Sequence, residues 1–336
     1  MNQLSRDYDI AQLGEIYTDM YQHDDDPDSP LESRVQMAEW ATRQVAKRNR
    51  PVALLDVGSG ARAVGKEMIL GLDTCDPTDE TVRDMLTESL VVSFDIADIA
   101  PEKLTIGRAS LDAAFGTNHL RAQSQAMPFK DQSFDVVMSN LSIDMLRRQE
   151  GEFEKALAEL ARVTKVDGAV RLHYHPGTLF LDLSDEYRSD QPTPMKDYFH
   201  GVADENPFYT KQEAIVEDMS RAGLTVLDVA YEQTTSDSWW RVEAMRCGKE
   251  TPKEAVQQAI VAHLKCLPES RASGRSLDEI RQRMGMQEVS KTRFRKAVGG
   301  LAAGEGVIGW RRPSWGSEES LQLGGYGITQ QRPLGR

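Results

Sequence analysis

No stretch of the 336-residue sequence approaches the ~18 consecutive apolar residues that a membrane span requires. The first ten residues, Met1 to Ile10, are too polar and acidic to read as a signal or transit peptide. Cysteine is scarce. Cys75, Cys247 and Cys266 are an odd number, far apart, with no CxxC pair, which excludes a disulfide framework and a cysteine-rich zinc site. A reducing compartment, the cytoplasm, is the resulting expectation. Internal repeats and low-complexity tracts are also lacking, so collagen, coiled coil and disordered tail are set aside. With 40% hydrophobic and 28% charged residues, what remains is an ordinary globular chain, long enough for two domains.

Charge is distributed unevenly. The net charge is −13, yet residues 251–336 carry 14 Lys and Arg against 8 Asp and Glu, a surplus of 6, which leaves −19 on residues 1–250. The acidic body would repel nucleic acid and anionic membranes, whereas the basic end could meet a polyanion or could simply be a small basic domain.

Along the chain, residues 1–50 read as a helical extension. Ser29-Pro30-Leu31-Glu32 has the pattern of a capping box with proline at the first helical position, and Val35, Ala38, Ala41 and Val45 share one face after it. The acidic loop His23-Asp24-Asp25-Asp26-Pro27-Asp28 before it reads as solvated, and no metal is expected. Residues 51–248 alternate short apolar runs with helical spacing. Val52–Val57, Leu90–Phe94, Phe134–Met138, Ala169–His173, Leu224–Ala230 and Trp239–Cys247 read as strands, and Glu152–Val163 and the stretch from Thr210 to Gly223 as helices. That alternation means a mostly parallel sheet covered on both faces. Residues 249–316 change pattern again. Capping-box patterns at Thr251-Pro252-Lys253-Glu254 and Ser276-Leu277-Asp278-Glu279 and a third helix at Ser290–Ala303 precede a glycine turn and an apolar run at 307–312, which is the order of a winged helix. Residues 317–336 read as a loose tail.

The chemistry-bearing residues lie at strand ends. Asp56-Val57-Gly58-Ser59-Gly60 follows a buried strand and precedes a helix, where glycines permit close backbone approach and a helix N-terminus offers amides to a ligand. Asp95 ends the next long strand, where a carboxylate can accept both hydroxyls of a ribose. Asp73 competes for that role but follows the glycines too soon for a full helix and strand. Downstream comes Ala126-Met127-Pro128-Phe129-Lys130-Asp131-Gln132-Ser133-Phe134-Asp135-Val136-Val137-Met138-Ser139-Asn140.

That run resembles the stretch leading into and through the fourth strand of class I S-adenosylmethionine-dependent methyltransferases, in the branch acting mostly on small molecules. Ala161-Arg162-Val163-Thr164-Lys165-Val166-Asp167-Gly168 is similar to the family's helix and turn before the fifth strand. The resemblance covers roughly residues 50–247 and implies a Rossmann-like sheet with S-adenosylmethionine as cofactor and S-adenosylhomocysteine as product. Carried over by position, it implies that Gly58, Ser59 and Gly60 lie against the methionine half of the cofactor, with Asp56 organising the turn. Asp95 would hold the ribose, Gln123 and Ser124 would meet the adenine edge, and Asn140 and Leu141 would floor the site near the donor methyl. Three departures stand out: Arg62 replaces a third glycine, Gln123 replaces the more usual acid, and the span from Gly60 to Asp95 is longer than usual.

Methyl transfer from a sulfonium needs mainly proximity and orientation, with a base only where the nucleophile must shed a proton. Candidates for that base are Asp144, His173 and His175. The two histidines flank Tyr174 on one face of a strand, which reads first as a sheet rim, then as a base or a metal pair. Ser139-Asn140-Leu141-Ser142 lacks the Pro-Pro-aromatic of exocyclic-amine methylases, and no cysteine falls where a cytosine-carbon methylase needs one. At the basic end, Lys291, Arg293, Arg295 and Lys296 on the third helix, with Arg311 and Arg312 on the wing, are candidate nucleic-acid contacts. The expectation is therefore a methyltransferase acting on a small molecule, with a nucleic-acid or protein target open through the winged helix. The alternative is a methyltransferase fold without turnover that serves as a scaffold or nucleic-acid-binding sensor.

Overall fold

A computed structural model describes residues 32–59, 80–95, 118–148, 151–174, 212–233, 238–266, 275–303 and 320–321. Its centre is a seven-stranded sheet of order β3-β2-β1-β4-β5-β7-β6. The strands are β1 (Ala53–Val57), β2 (Leu90–Asp95), β3 (Asn118–Arg121), β4 (Phe134–Asn140), β5 (Thr164–Tyr174), β6 (Thr225–Gln233) and β7 (Ser238–Met245). The first five pair in parallel, while β7 runs antiparallel between β5 and β6. This is the Rossmann-like α/β sheet expected from the sequence, with one antiparallel insertion.

Side-chain alternation explains why helices cover both faces. In β1, Leu54 points to one face and Leu55 to the other, and both are fully buried. On the Leu54 face, Val136 and Met138 meet Met37, Trp40, Ala41 and Val45 of α1 (Glu32–Arg48) and Val82 and Leu86 of α2 (Glu80–Thr87). On the Leu55 face, Val57, Val137 and Leu172 meet Phe153, Leu157, Leu160 and Val163 of α3 (Glu152–Val163) and Ile215, Val216 and Met219 of α4 (Gln212–Arg221). Burying these side chains contributes on the order of 1.5–3 kcal/mol each.

Polar anchors set the strand starts. Asp135, 4% exposed, receives hydrogen bonds from Arg50, from the Ala53 amide at 3.0 Å and from Lys165 at 2.8 Å. One carboxylate thereby ties the beginnings of β1, β4 and β5. Burial alone would push its carboxyl upward, but the bonds from Arg50, Ala53 and Lys165 outweigh it and hold the group down at about 2. A second anchor explains the Met127–Asp131 loop that leads into β4. Arg162 donates to Glu159 and Asp131 and to the carbonyls of Met127 and Phe129, while Glu159 accepts the Met127 amide at 2.8 Å. Arg246 closes the other side by donating to the carbonyls of Ala161, Arg162 and Thr164 at the end of α3.

Beyond the sheet, α5 (Lys253–Cys266), β8 (Arg275–Ser276), α6 (Leu277–Arg283), α7 (Lys291–Ala303) and β9 (Ser320–Leu321) follow in order, with β8 and β9 antiparallel. Val256, Ala259 and Ile260 of α5 and Phe294 and Val298 of α7 form a separate core with Met284, Met286 and Val289. Met245, Cys247 and Leu227 join it from the sheet side, so this unit packs on the β6–β7 end. Arg281 is 8% exposed and donates to Asp278 and to the carbonyls of Met286, Gln287 and Val289, fixing the turn between α6 and α7. The capping box expected at Thr251 is not formed. Its hydroxyl instead accepts the Gly248 amide at 2.7 Å and donates to Asp167 at 2.6 Å, because α5 has to be tied to the turn within β5. Ser290 does cap α7, accepting the Arg293 amide at 3.2 Å. The capping pattern at 29–32, the apolar run at 307–312 and the tail lie essentially outside the described residues, as does the acidic loop at 23–28.

The Asp135 cluster yields a signed expectation. A carboxyl held near 2 in the fold and near 3.8 in the open chain stabilises above about pH 4 and loses that contribution as pH falls toward 2. Asp135→Asn is expected to cost about 2 kcal/mol at pH 7, the size of a charge-assisted bond to a buried group. Urea denaturation at several pH values should show the gap between wild type and variant closing below pH 4. Arg281→Met leaves three carbonyls without their donor and is expected to cost about 3 kcal/mol within the C-terminal unit. Hydrogen exchange should then show lost protection over residues 277–303 while β1–β5 stay protected.

Candidate active site

The carboxyl ends of β1, β2 and β4 lie side by side, with Val57 opposite Phe94 and Asp56 opposite Met138. Strand order reverses between β1 and β4, and in open α/β sheets that reversal opens the crevice in which ligands bind. Asp56 (1% exposed) and Asp95 (5% exposed) place two buried carboxylates at adjacent strand ends there.

Gly58 has φ +66°, and a Cβ on it would fall 1.6 Å from the Ser142 Oγ. Both backbone conformation and space therefore demand glycine, and the neighbour pressing on it is the loop after β4. The amides of Gly58 and Ser59 donate to the Phe94 carbonyl at 2.9 and 3.1 Å, and the Ser59 hydroxyl lies 3.5 Å from the same oxygen. The amides expected to face a ligand are thus used at positions 58 and 59 to join β1 to β2. Gly60, Arg62, Asp73 and the segment after them lie outside the described residues.

Asn140 ends β4 half-buried, and Leu141 follows at φ +51°, a conformation that is costly for a bulky side chain and recurs at functional sites. The Leu141 amide is held by the His173 carbonyl at 3.0 Å. Asn140 Oδ1 lies 2.8 Å from His173 Nδ1, and Asn140 Nδ2 donates to Ser33 of α1 at 3.4 Å. His173 is fully buried, and its Nε2 accepts the Arg171 Nε–H at 3.1 Å. Burial, then Arg171 and Arg241, pushes its pKa well below the ordinary histidine value. With both ring nitrogens engaged and no exposure, His173 is not placed to take a proton from an acceptor, as the sequence had suggested. It supports Asn140 instead. Asp144 is fully buried in the 3-10 turn Ile143–Arg148, and His175 lies outside the described residues.

After β3, Gln123 is exposed and Ser124 is half-buried, with its hydroxyl directed to Gln125 Oε1 at 3.4 Å. Gln125 Nε2 is buried with no hydrogen-bond acceptor among the described residues. This donor sits next to the positions expected to meet adenine, and sequence reading missed it. Also missed were Ser33, Ser142 and Arg171. Arg171 is 2% exposed, lies 3.5 Å from Glu243 and has its guanidinium 5.8 Å from the Trp40 ring centroid.

The cations of α7 divide. Lys291 pairs with Asp278 at 2.7 Å, and Arg293 donates to Glu250 and the Thr251 carbonyl. Arg295 and Lys296 are exposed, and Arg311 and Arg312 lie outside the described residues. No helix among the described residues is long and apolar enough to cross a membrane, and no group of His, Cys, Asp and Glu among them is arranged to hold a metal.

The donor set suits S-adenosylmethionine. Asp95 can accept ribose hydroxyls, and Gln125 supplies a buried donor that has no acceptor among the described residues. Residues 55–172 match a family described as a methyltransferase domain, a stretch running from β1 into β5. No curated protein matches the sequence. Solved structures that resemble the chain include magnesium protoporphyrin IX methyltransferase from Synechocystis PCC 6803 with bound SAH. It is 13% identical with a TM-score of 0.47, and the alignment covers 71% of this chain and 100% of that one. The 1,6-didemethyltoxoflavin-N1-methyltransferase of Burkholderia thailandensis is 14% identical with a TM-score of 0.45, covering 71% of this chain and 88% of that one. A SAM-dependent methyltransferase from Aquifex aeolicus is 17% identical with a TM-score of 0.38, covering 71% and 99%. Likeness at this level carries no inference about the acceptor. By sequence, residues 55–172 match a methyltransferase domain, and the donor set of the site fits S-adenosylmethionine.

Proposed function

We propose that the protein methylates a small molecule that enters over the carboxyl ends of β4 and β5. The observation that carries this reading is the convergence of Asp56, Gly58, Asp95 and Asn140 at the point where strand order reverses between β1 and β4. The cofactor supplies an activated methyl group, so the protein's part is to bind, orient and exclude water. Asp95 holds the ribose end, Gln125 and Ser124 the adenine end, and Asn140 and Leu141 floor the transfer site. Leu141 closes the floor with an apolar side chain in a fixed backbone conformation. His173 sits behind that floor, and Asp144 is too buried to relay a proton to solvent directly.

A small acceptor is favoured over nucleic acid on two grounds. The Ser139–Ser142 stretch has no prolines or aromatic ring to clamp a flipped base. Lys291 and Arg293 of α7, which would contact phosphate, are paired with Asp278 and Glu250. The C-terminal unit then braces the β6–β7 end of the sheet, with a winged-helix order of elements.

Calorimetric titration with S-adenosylmethionine and S-adenosylhomocysteine tests the cofactor site. Micromolar binding is expected, weakened at least ~10-fold by Asp95→Ala, in line with the loss of a charge-assisted bond. Absence of binding of either compound at millimolar concentration would overturn the proposal. Gly58→Ala, which forces a side chain into both a left-handed backbone and the Ser142 hydroxyl, is expected to cost about 2 kcal/mol. Thermal unfolding measures that loss, and the same variant should also bind the cofactor more weakly, because the loop after β4 has to move.

A further inference from the structure

We infer that Arg171 is a positioning residue that fixes which way the Asn140 amide faces, so that the transfer site is floored by an N–H donor and not by an oxygen. The inference rests on the cofactor-site reading above and extends it to the acceptor.

The placement of the protons decides the orientation of the amide. A guanidinium has donors only, so the 3.1 Å contact from Arg171 Nε requires a lone pair on His173 Nε2. The ring is then neutral with its proton on Nδ1, and burial together with the charges of Arg171 and Arg241 favours the neutral form. Nδ1–H has one partner at 2.8 Å, the Asn140 side chain, which must turn its oxygen toward it. The amide nitrogen is left with two hydrogens, of which one reaches the Ser33 hydroxyl at 3.4 Å. The other has no acceptor among the described residues and remains as a donor at the end of β4.

Arg171 can act in this way because it is itself held. Residues 171 and 173 are two apart on β5 and share a face, and Met138, Arg171 and Glu243 are in register across β4, β5 and β7. Glu243 lies 3.5 Å from the guanidinium, and Trp40 covers it from α1. Without that fixed donor the ring could carry its proton on either nitrogen, and the amide could rotate to present an oxygen. A donor floor suits an acceptor that bears a carbonyl, carboxylate or phenolate oxygen beside the atom to be methylated. It disfavours one that offers only an ammonium or hydroxyl hydrogen there.

The test uses the full chain labelled with 15N-histidine, His173 being assigned by its absence in His173→Gln. At pH 7 the wild type is expected to show a pyridine-type Nε2 and a pyrrole-type Nδ1. Arg171→Met should show a mixture of tautomers, and Arg171→Lys, which restores a donor, should return the single form. A wild-type ring protonated on Nε2, or on both nitrogens, overturns the inference. So does an Arg171→Met spectrum that matches the wild type. If Arg171→Met fails to fold, the wild-type and Arg171→Lys spectra still decide. A second arm places the floor relative to the methyl group. Asn140→Asp keeps an oxygen for His173 but sets a carboxylate beside the sulfonium, so preference for S-adenosylmethionine over S-adenosylhomocysteine should rise about fivefold. An unchanged ratio with both compounds bound overturns the placement of Asn140. Failure of the wild type to bind either compound defeats the cofactor-site reading and leaves the tautomer result to stand by itself.

Discussion

The Asp135 carboxylate is the constraint on which the rest of the sheet depends. Parallel strands have no hairpin to fix their register, and an apolar strand buried on both faces slides easily against apolar neighbours. A single charged group at the start of β4, bonded to the Ala53 amide, Arg50 and Lys165, removes that freedom for three strands at once. Once their beginnings are aligned, their ends fall level as well. Asp56 and Asn140 therefore meet at the opposite edge, and β2, held in register with β1, brings Asp95 beside them without any direct bond among the three being needed. The ligand site is a consequence of an anchor at the far end of the strands.

Much of this architecture was legible in the residues. The apolar runs at Val52–Val57, Leu90–Phe94 and Phe134–Met138 read as buried strands, and Phe153, Leu157, Leu160 and Val163 as one face of a helix; all four are buried against the sheet. Where the reading fell short, a long-range partner had overridden a local pattern. β5 begins at Thr164 and not at Ala169, because Thr164 pairs with Phe134 ahead of an irregularity in the ladder. Thr251 has the spacing of a helix cap but spends its hydroxyl on Asp167. At the site itself, the strand-end positions Asp56, Gly58, Asp95 and Asn140 were visible because their location follows from topology. The supporting residues were not. Nothing local distinguishes Arg171 from a surface arginine or Ser33 from any helix serine, and only the packing of α1 against β4 and β5 reveals their roles. The alternation of His173 and His175 pointed to a common face but could not say that His173 was covered.

The surplus of positive charge after residue 250 has a similar lesson. Counted along the sequence, the cations of α7 suggest a polyanion partner. In the fold, Lys291 belongs to Asp278, an acid already counted in the surplus, and Arg293 to Glu250, which lies outside it, so these cations of α7 are paired rather than offered to a partner. Arg281, which adds to the same count, is taken up by Asp278 and by three turn carbonyls. A net charge summed along a chain overstates the field that a partner would meet when ion pairs connect distant segments.

The pairing of β1 with β4 also bears on how the chain reaches this fold during synthesis. The Ala53 amide and the Asp135 carboxylate that bind each other are 82 residues apart in the chain. β4, α3 and β5, by contrast, are contiguous, and their contacts close short loops. β1 therefore leaves the ribosome long before its central partner exists, with Leu54, Leu55 and Val57 exposed in the meantime. The strand order that builds the binding crevice thus carries a kinetic hazard. The native arrangement requires the nascent β1 to wait, and among the described elements α1 is the first able to cover one of its faces.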